Sequence, residues 1–391
     1  MDANRVLVVA ALGTSQTLAW ASSYYLVAIL ADPIAADLAV SSTSVFAAFS
    51  ASLLVAAVVG PRVGRTIDAY GGRGVLAFSN LLFAAGLGLL GIAPSGAAMW
   101  AAWLVIGAAM GVGLYDAAFA TLGRIYGADA RHAITGITLL AGFASTVGWP
   151  LTAWGLDALG WRGTCLAWAA AHLALGLPLN VFAIPRARML TAAGSPTASQ
   201  PVGFDRKMWL LAYAFAAGWM IAAAMAAHLP RLLEATGATP AQALIAAALL
   251  GPSQVAARLF DAALLGRQHP LVAARLCTLG HPIGVAVLWL SAGTLPWAFT
   301  ALHGAGQGIY TIARGTVPLA IFGPEGYGYR LGLLGAPTRI AQAAGPLAFG
   351  VLLDRFGAGV LVVTTAMSLS ALLAFSLVQT GRPDETRPPP I

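Results

Sequence analysis

Hydrophobic positions in this chain come in long unbroken runs, and polar positions collect in short gaps between them. The runs fall at roughly 5–31, 43–61, 74–94, 97–121, 133–157, 162–184, 208–229, 241–259, 270–292, 296–320, 329–352 and 357–379. A helix needs about 20 apolar residues to cross a hydrocarbon core, and each run is close to that length or longer. None alternates with the period of two that a membrane-spanning strand requires. The pattern predicts an all-α membrane protein with twelve transmembrane helices, numbered 1 to 12 in that order. The first run reads as a retained helix. It is too long for the apolar stretch of a cleaved leader, although Ala28-Ile-Leu-Ala31 has the small residues of a cleavage site. The longest polar interval, 185–207, is expected to be a cytoplasmic linker between six-helix bundles at 1–184 and 208–380, with a short cytoplasmic tail at 381–391.

The two bundles repeat each other. Gly60-Pro61 returns as Gly251-Pro252, Arg65-x-x-Asp68 as Arg258-x-x-Asp261, and Gly111-x-Gly113-Leu-Tyr115 as Gly306-x-Gly308-Ile-Tyr310. Pro150 matches Pro346, Asp157-x-x-Gly160 matches Asp354-x-x-Gly357, and Pro33-x-x-x-Asp37 matches Pro230-x-x-x-Glu234, all in the same order. Six helices per half give both halves the same orientation in the bilayer. That parallel repeat is the build of transporters that rock two bundles about a central site.

Composition removes the main competitors. The chain is 59% hydrophobic and 9% charged, where soluble domains carry roughly 25% charged residues; mean hydropathy is +0.80. Such a chain cannot cover a soluble surface, which excludes an ordinary soluble enzyme, a disordered protein and a secreted scaffold. The net charge of +7 is not a nucleic-acid footprint, because most of the 21 basic residues sit singly or in pairs between apolar runs. With the N-terminus in the cytoplasm, sixteen of them fall on that side and only Arg162, Arg231 and Arg355 on the other. Positive charge marks the inside, so both termini are expected in the cytoplasm and the protein in the cell's inner (plasma) membrane. Cys165 and Cys277 lie in apolar runs without metal-ligand spacing and read as packing residues.

Several motifs resemble one family. Gly64-x-x-x-Asp68-x-x-Gly71-x-Arg73, between helices 2 and 3, matches the signature loop of the major facilitator superfamily. Gly160-Trp161-Arg162 before helix 6 is another frequent family feature, and Gly148-Trp-Pro150-x-x-x-x-Gly155 resembles a loosened antiporter motif of helix 5. The resemblance spans the whole chain. It implies a secondary active transporter working by alternating access, with helices 1, 4, 7 and 10 around a cavity and helices 2, 5, 8 and 11 at its sides. It implies a monomer in the lipid bilayer that handles a small solute and protons, without cofactor, metal or nucleic acid. Many drug/proton antiporters of the family carry an arginine four residues before a glycine in helix 4; here that place before Gly107 is Trp103.

The signature loop has a physical logic of its own. Gly64 and Gly71 permit a tight turn, while Asp68 can accept from nearby arginines, Arg73 among them, or from a neighbouring helix N-terminus. Such contacts would latch one face shut, with Arg258 and Asp261 as the counterpart in the second half. The plainer alternative is a solvated loop that only sets topology. Asp116 is the one acid well inside an apolar run, in helix 4. A buried carboxylate there costs about 2.5–3.5 kcal/mol on insertion scales, so a partner is expected. Arg314 in helix 10 lies at a comparable depth. The pair is either a proton-coupling or substrate-sensitive device centred on Asp116, or a fixed structural link between the halves.

Arg314 and Arg339 both sit inside apolar runs, and one acid cannot neutralise two guanidiniums. The excess positive charge favours an anion, for which a carboxylate is the natural bidentate partner. In this respect the chain resembles the oxalate/formate and monocarboxylate branches of the family. Helix 1 carries Gln16, Trp20, Ser23 and Tyr24 on one stripe, with Thr17 beside it. That face must meet protein or cavity, since lipid satisfies none of these groups. Tyr115, Gln307, Tyr310 and Trp219 extend the expected lining, with Trp20 as an apolar wall. His172 and His281 read as structural, and His303 as a lesser titration candidate than Asp116. An intramembrane hydrolase lacks support, because Gly13-Thr-Ser15 has no second glycine and the histidines are scattered. A sensor lacks an output domain, and ATP-driven transport lacks a phosphate loop. The expected function is proton-coupled transport of a small organic anion, with proton-driven efflux of drugs or metabolites as the alternative.

Overall fold

The computed structural model describes residues 3–186 and 204–379. Most of the expected linker and the expected tail lie outside the described residues. The N-terminal half winds through α1 (Ala3–Ala21), α2 (Val27–Asp37), α3 (Ser42–Tyr70), α4 (Gly72–Gly91), α5 (Gly96–Gly113), α6 (Tyr115–Tyr126), α7 (Ala130–Ala141) and α8 (Ala144–Ala171). The C-terminal half follows with α9 (Arg206–Ala235), α10 (Pro240–Ala248), α11 (Leu250–Phe260), α12 (Pro270–Leu290), α13 (Pro296–Phe322), α14 (Tyr327–Phe356) and α15 (Val360–Leu377). Among the described residues there is no strand. Each of the twelve apolar runs is helical over most of its length.

Seven helical stretches among the described residues are long and apolar enough to cross a membrane, two of them joined runs of 88 and 51 residues at Gly96–Ala183 and Tyr327–Leu377. Neither α1 nor α13 is among the seven. Those two helices carry Gln16, Thr17 and Trp20 of the expected stripe and the Arg314 segment, so their polarity is turned toward other helices. The chain turns at 22–26, and Ser23 and Tyr24 fall in that turn and not on a continuous first helix. Large apolar side chains, including Trp154, Phe182, Leu290 and Leu347, stand well exposed on the outside of the bundle. On a soluble protein such patches would drive association; here they suit hydrocarbon, where every backbone group must be satisfied within the helix. The chain is a multi-pass membrane protein.

Breaks in the helices fall where the sequence allows them. Gly71, at φ +82°, ends α3 and lets α4 begin at once. Gly160, at φ +70°, bends the 144–171 helix and separates the fifth apolar run from the sixth. Leu114 is extended and parts α5 from α6 inside the fourth run. The matching Gly306-x-Gly308 segment stays within the continuous α13, so the sequence repeat is not a repeat of backbone here.

Four apolar clusters hold the helices together. One belongs to the N-terminal half, around Phe83, Met99 and Trp103. Two belong to the C-terminal half, around Phe215 with Phe375 and around Phe299 with Phe349. The fourth, around Phe119, Ile134 and Ile137, takes in Leu319, Tyr327 and Leu331 from the other half. The halves therefore fuse on the side where α3 ends and α14 begins. Small residues make that approach possible. A Cβ on Gly64 would come within 2.0 Å of the Gly328 carbonyl oxygen, and one on Gly332 within 2.6 Å of the Gly60 oxygen.

Candidate functional site

Asp116 owes its position to the break at Leu114, which places it in the first turn of α6. Helix N-termini favour an anion. The break also frees the Gly113 carbonyl, and Gln16 on α1 donates to it through Nε2 at 2.6 Å. From the C-terminal half, Arg314 on α13 donates to Asp116 Oδ1 through Nη2 at 2.7 Å and Nε at 3.2 Å. Arg339 on α14 donates to Asp116 Oδ2 through Nη1 at 2.7 Å. All three side chains are buried. One carboxylate thus joins two guanidiniums across the two halves, and one positive charge is left over.

Neighbouring residues shape this triad. Thr338, beside Arg339 in sequence, accepts from Arg314 Nη1 at 2.8 Å and donates to the Leu334 carbonyl. Gly335 lies one turn before Arg339; a Cβ there would sit 2.8 Å from Asp116 Oδ2 and 3.1 Å from Arg314 Nη2. The triad borders a cavity whose lining includes Trp20, Tyr24, Tyr115, Trp219, Thr311 and Gln342. Sequence reasoning missed Gly335, Thr338 and Gln342. The i−4 and i+3 spacing of Gly335 and Gln342 from Arg339 was the available signal, since such positions share a helix face, and Thr338 stands three and four residues from those two.

The other expected lining residues divide. Trp20, Tyr24 and Tyr115 border the cavity with Asp116, Arg314 and Arg339, and the Trp20 ring lies 5.3 Å from Tyr24 and 5.1 Å from Tyr115. Gln16, Gln307 and Tyr310 are engaged in helix packing. Gln307 Nε2 donates to the Gly218 carbonyl at 3.2 Å, and the Tyr310 hydroxyl donates to the Ala214 carbonyl, both on α9. His172 sits between Ser22 and Asn80 and stacks on Phe83. His281 and His303 face each other through their Nδ1 atoms at 3.1 Å, and His281 Nε2 meets Thr364.

The signature loop grips the opposite half. Asp68 accepts the backbone N–H groups of Gly328 and Tyr329, each at 2.8 Å, and so closes the N-terminus of α14. Of the two partners the sequence left open, the helix terminus takes the carboxylate, with Arg124 and Arg330 as the cations nearby. Gly64 provides the close approach and Gly71 the turn, while Arg73 stands half-exposed and is not a partner of Asp68. Arg65 adds a bond to the Tyr329 hydroxyl at 2.7 Å and lies over its ring.

The second half is built differently. Arg131, at the start of α7, donates to the carbonyls of Leu265 and Gln268 beyond α11. Arg258 and Asp261, read from the sequence as a gating pair, are both buried but do not bond to each other. Arg258 reaches the Gly308 carbonyl through Nε at 3.3 Å and packs against Gly142; Asp261 has Arg131 as its neighbouring cation. One contact between the halves therefore sets an anion on a helix N-terminus, and the other sets a cation on carbonyls just beyond a helix C-terminus. Both use the same dipole logic with opposite sign.

Comparison with known proteins bears on the scaffold. The profile described as the Major Facilitator Superfamily matches residues 12–301. The crystal structure of the human organic anion transporter MFSD10 (TETRAN) aligns with a TM-score of 0.70 at 19% identity, covering 97% of this chain and 100% of that one. The proton:xylose symporter XylE, bound to 6-bromo-6-deoxy-D-glucose, aligns with a TM-score of 0.70 at 15% identity, covering 96% of this chain and 95% of that one. The search of curated proteins returns no match.

Proposed function

Because the chain belongs to the Major Facilitator Superfamily, and is thereby a secondary transporter and not an enzyme, we propose that it carries a small carboxylate by alternating access, coupled to protons. The observation that supports this reading is the charge at the cavity: Asp116 shared between Arg314 and Arg339, with one guanidinium charge left over. In a low-dielectric site that excess selects strongly for an anion. A guanidinium presents a planar fork that suits a carboxylate. An incoming carboxylate competes with Asp116 for one arginine. A proton on Asp116 removes that competition, so proton and anion load together and neither guanidinium is left bare.

The latches supply the gate. Asp68 on α14 and Arg131 on the segment beyond α11 join the halves on one face, which the arginine distribution would make the cytoplasmic one, as it would both termini and the 185–207 linker. Opening toward that face requires both to release. The structural neighbours, one titled an organic anion transporter and one a proton symporter, support the scaffold at this sequence distance and not a substrate.

The test is flux in proteoliposomes with an imposed pH gradient and labelled short-chain carboxylates. Accumulation is expected to follow the proton gradient and to fail in Arg314→Ala and Arg339→Ala. Transport of a lipophilic cation, with both arginine variants fully active, would overturn the reading in favour of efflux.

A further inference from the structure

Two residues that line the cavity carry donors the charge triad does not use. Trp20 on α1 and Trp219 on α9 both border the cavity, and the indole Nε1 of each is buried without a hydrogen-bond partner. An indole nitrogen only donates, and buried donors in native proteins are nearly always satisfied. Each half contributes one of these groups, from its first helix. The Trp20 ring is held by Tyr24 and Tyr115, with ring centroids 5.3 and 5.1 Å away, so the donor stays in place without being bonded.

Asp116 and Thr338, the acceptors nearest the arginines at the same cavity, are already engaged. The two oxygens of Asp116 receive three N–H bonds from Arg314 and Arg339. The Thr338 hydroxyl accepts from Arg314 and donates to Leu334, while Thr311 donates to the Gln307 carbonyl. The cavity is therefore rich in donors beyond what a single carboxylate group uses. Trp103 offers a contrast: its Nε1 is also unpartnered, but the ring is wholly buried in the N-terminal core against Phe49, away from the cavity.

We propose that Trp20 and Trp219 are specificity-determining residues that donate indole hydrogen bonds to a second acceptor group on the transported acid. The substrate class is then a small carboxylate bearing an α-oxo, hydroxyl or second carboxylate oxygen, rather than a plain alkanoate. This rests on the carboxylate reading of the same cavity. It gives Trp20 a polar role where an apolar wall was the expectation.

The experiment is ligand-induced thermal stabilisation of the purified full chain, titrated with propionate, pyruvate, lactate and malonate. The wild-type protein is expected to bind at least one of the last three about tenfold more tightly than propionate, the worth of one or two hydrogen bonds. Trp20→Phe and Trp219→Phe keep an aromatic ring and remove the N–H. Each is expected to lose most of that preference, measured as the ratio of the tighter acid to propionate, and Trp103→Phe is expected to keep it. Where a Phe variant fails to fold, benzothienylalanine at the same site removes only the N–H and serves instead. A wild type without the preference, or a preference that survives loss of both indole N–H groups, overturns this inference and leaves the carboxylate reading standing. Stabilisation by a lipophilic cation and by none of the acids overturns both.

Discussion

At the residue scale the decisive group is Asp116, because its two oxygens hold two arginines from the opposite half. Removing one partner of a buried ionic cluster leaves uncompensated charge and costs about 3–5 kcal/mol. Asp116→Asn is therefore expected to lower the melting temperature in detergent, and saturating carboxylate should recover part of the loss because it binds the native state. In proteoliposomes the same variant is expected to lose proton-driven accumulation while retaining exchange; accumulation that survives would assign coupling elsewhere. Arg314→Lys separates charge from geometry. Arg314 uses Nε, Nη1 and Nη2 on Asp116 and Thr338, and an ammonium cannot span both. Carboxylate affinity is expected to fall about tenfold although the charge is kept, as read by the same stabilisation titration. That Asp116 and Arg314 meet was legible as a matter of depth in their runs. That Arg339 shares the carboxylate was not, because the sequence showed only an excess of arginine, with no indication of which face of α14 it occupies.

At the element scale the molecule turns on the crossing of α3 with α14. Gly64 meets the Gly328 carbonyl and Gly332 meets the Gly60 carbonyl, backbone against backbone. No side chain lies there to give way, so a larger residue must part the helices. Gly64→Val is expected to disfavour the state closed on that face, seen as faster labelling of a cysteine placed at Ala120, which lies buried against Gly328 of the opposite half. Asp68→Asn keeps the shape but weakens the grip on the α14 N-terminus. A charge at that position is worth about 0.3–1 kcal/mol when exposed and up to about 2 kcal/mol when partly buried. Turnover is expected to change severalfold with protein abundance unchanged; wild-type turnover would return the loop to a topological role. The signature was readable from Gly64, Asp68 and Gly71. The partner of Asp68 is a backbone terminus 260 positions away, which no side-chain pattern announces.

At the scale of the whole molecule, the orientation read from the arginines has a direct test. Single cysteines at Ala39 and Pro196 are expected to label from opposite sides of the membrane, against a low background from the buried Cys165 and Cys277. Labelling from the same side would reverse the topology of one half. The amino-acid sequence alone determined that this chain is helical, membrane-embedded and internally repeated. Each of those follows from local properties: continuous apolar length, scarcity of charge, and motifs that recur in order. It also determined that an acid and two arginines lie where lipid cannot satisfy them. Only the tertiary structure decided how the two halves differ. α5 and α6 part at Leu114 while α13 runs on through the matching segment. Asp68 closes a helix N-terminus, while Asp261 does not; there Arg131 of the first half reaches carbonyls beyond α11 instead. Gln16 and Tyr310 went to packing and Gln342 to the cavity. The physical reason is that a residue's face on a helix, and the backbone atoms it meets, depend on helix rotation and on the crossing partner. Those are set by packing between segments far apart in the chain, to which periodicity within one segment is blind.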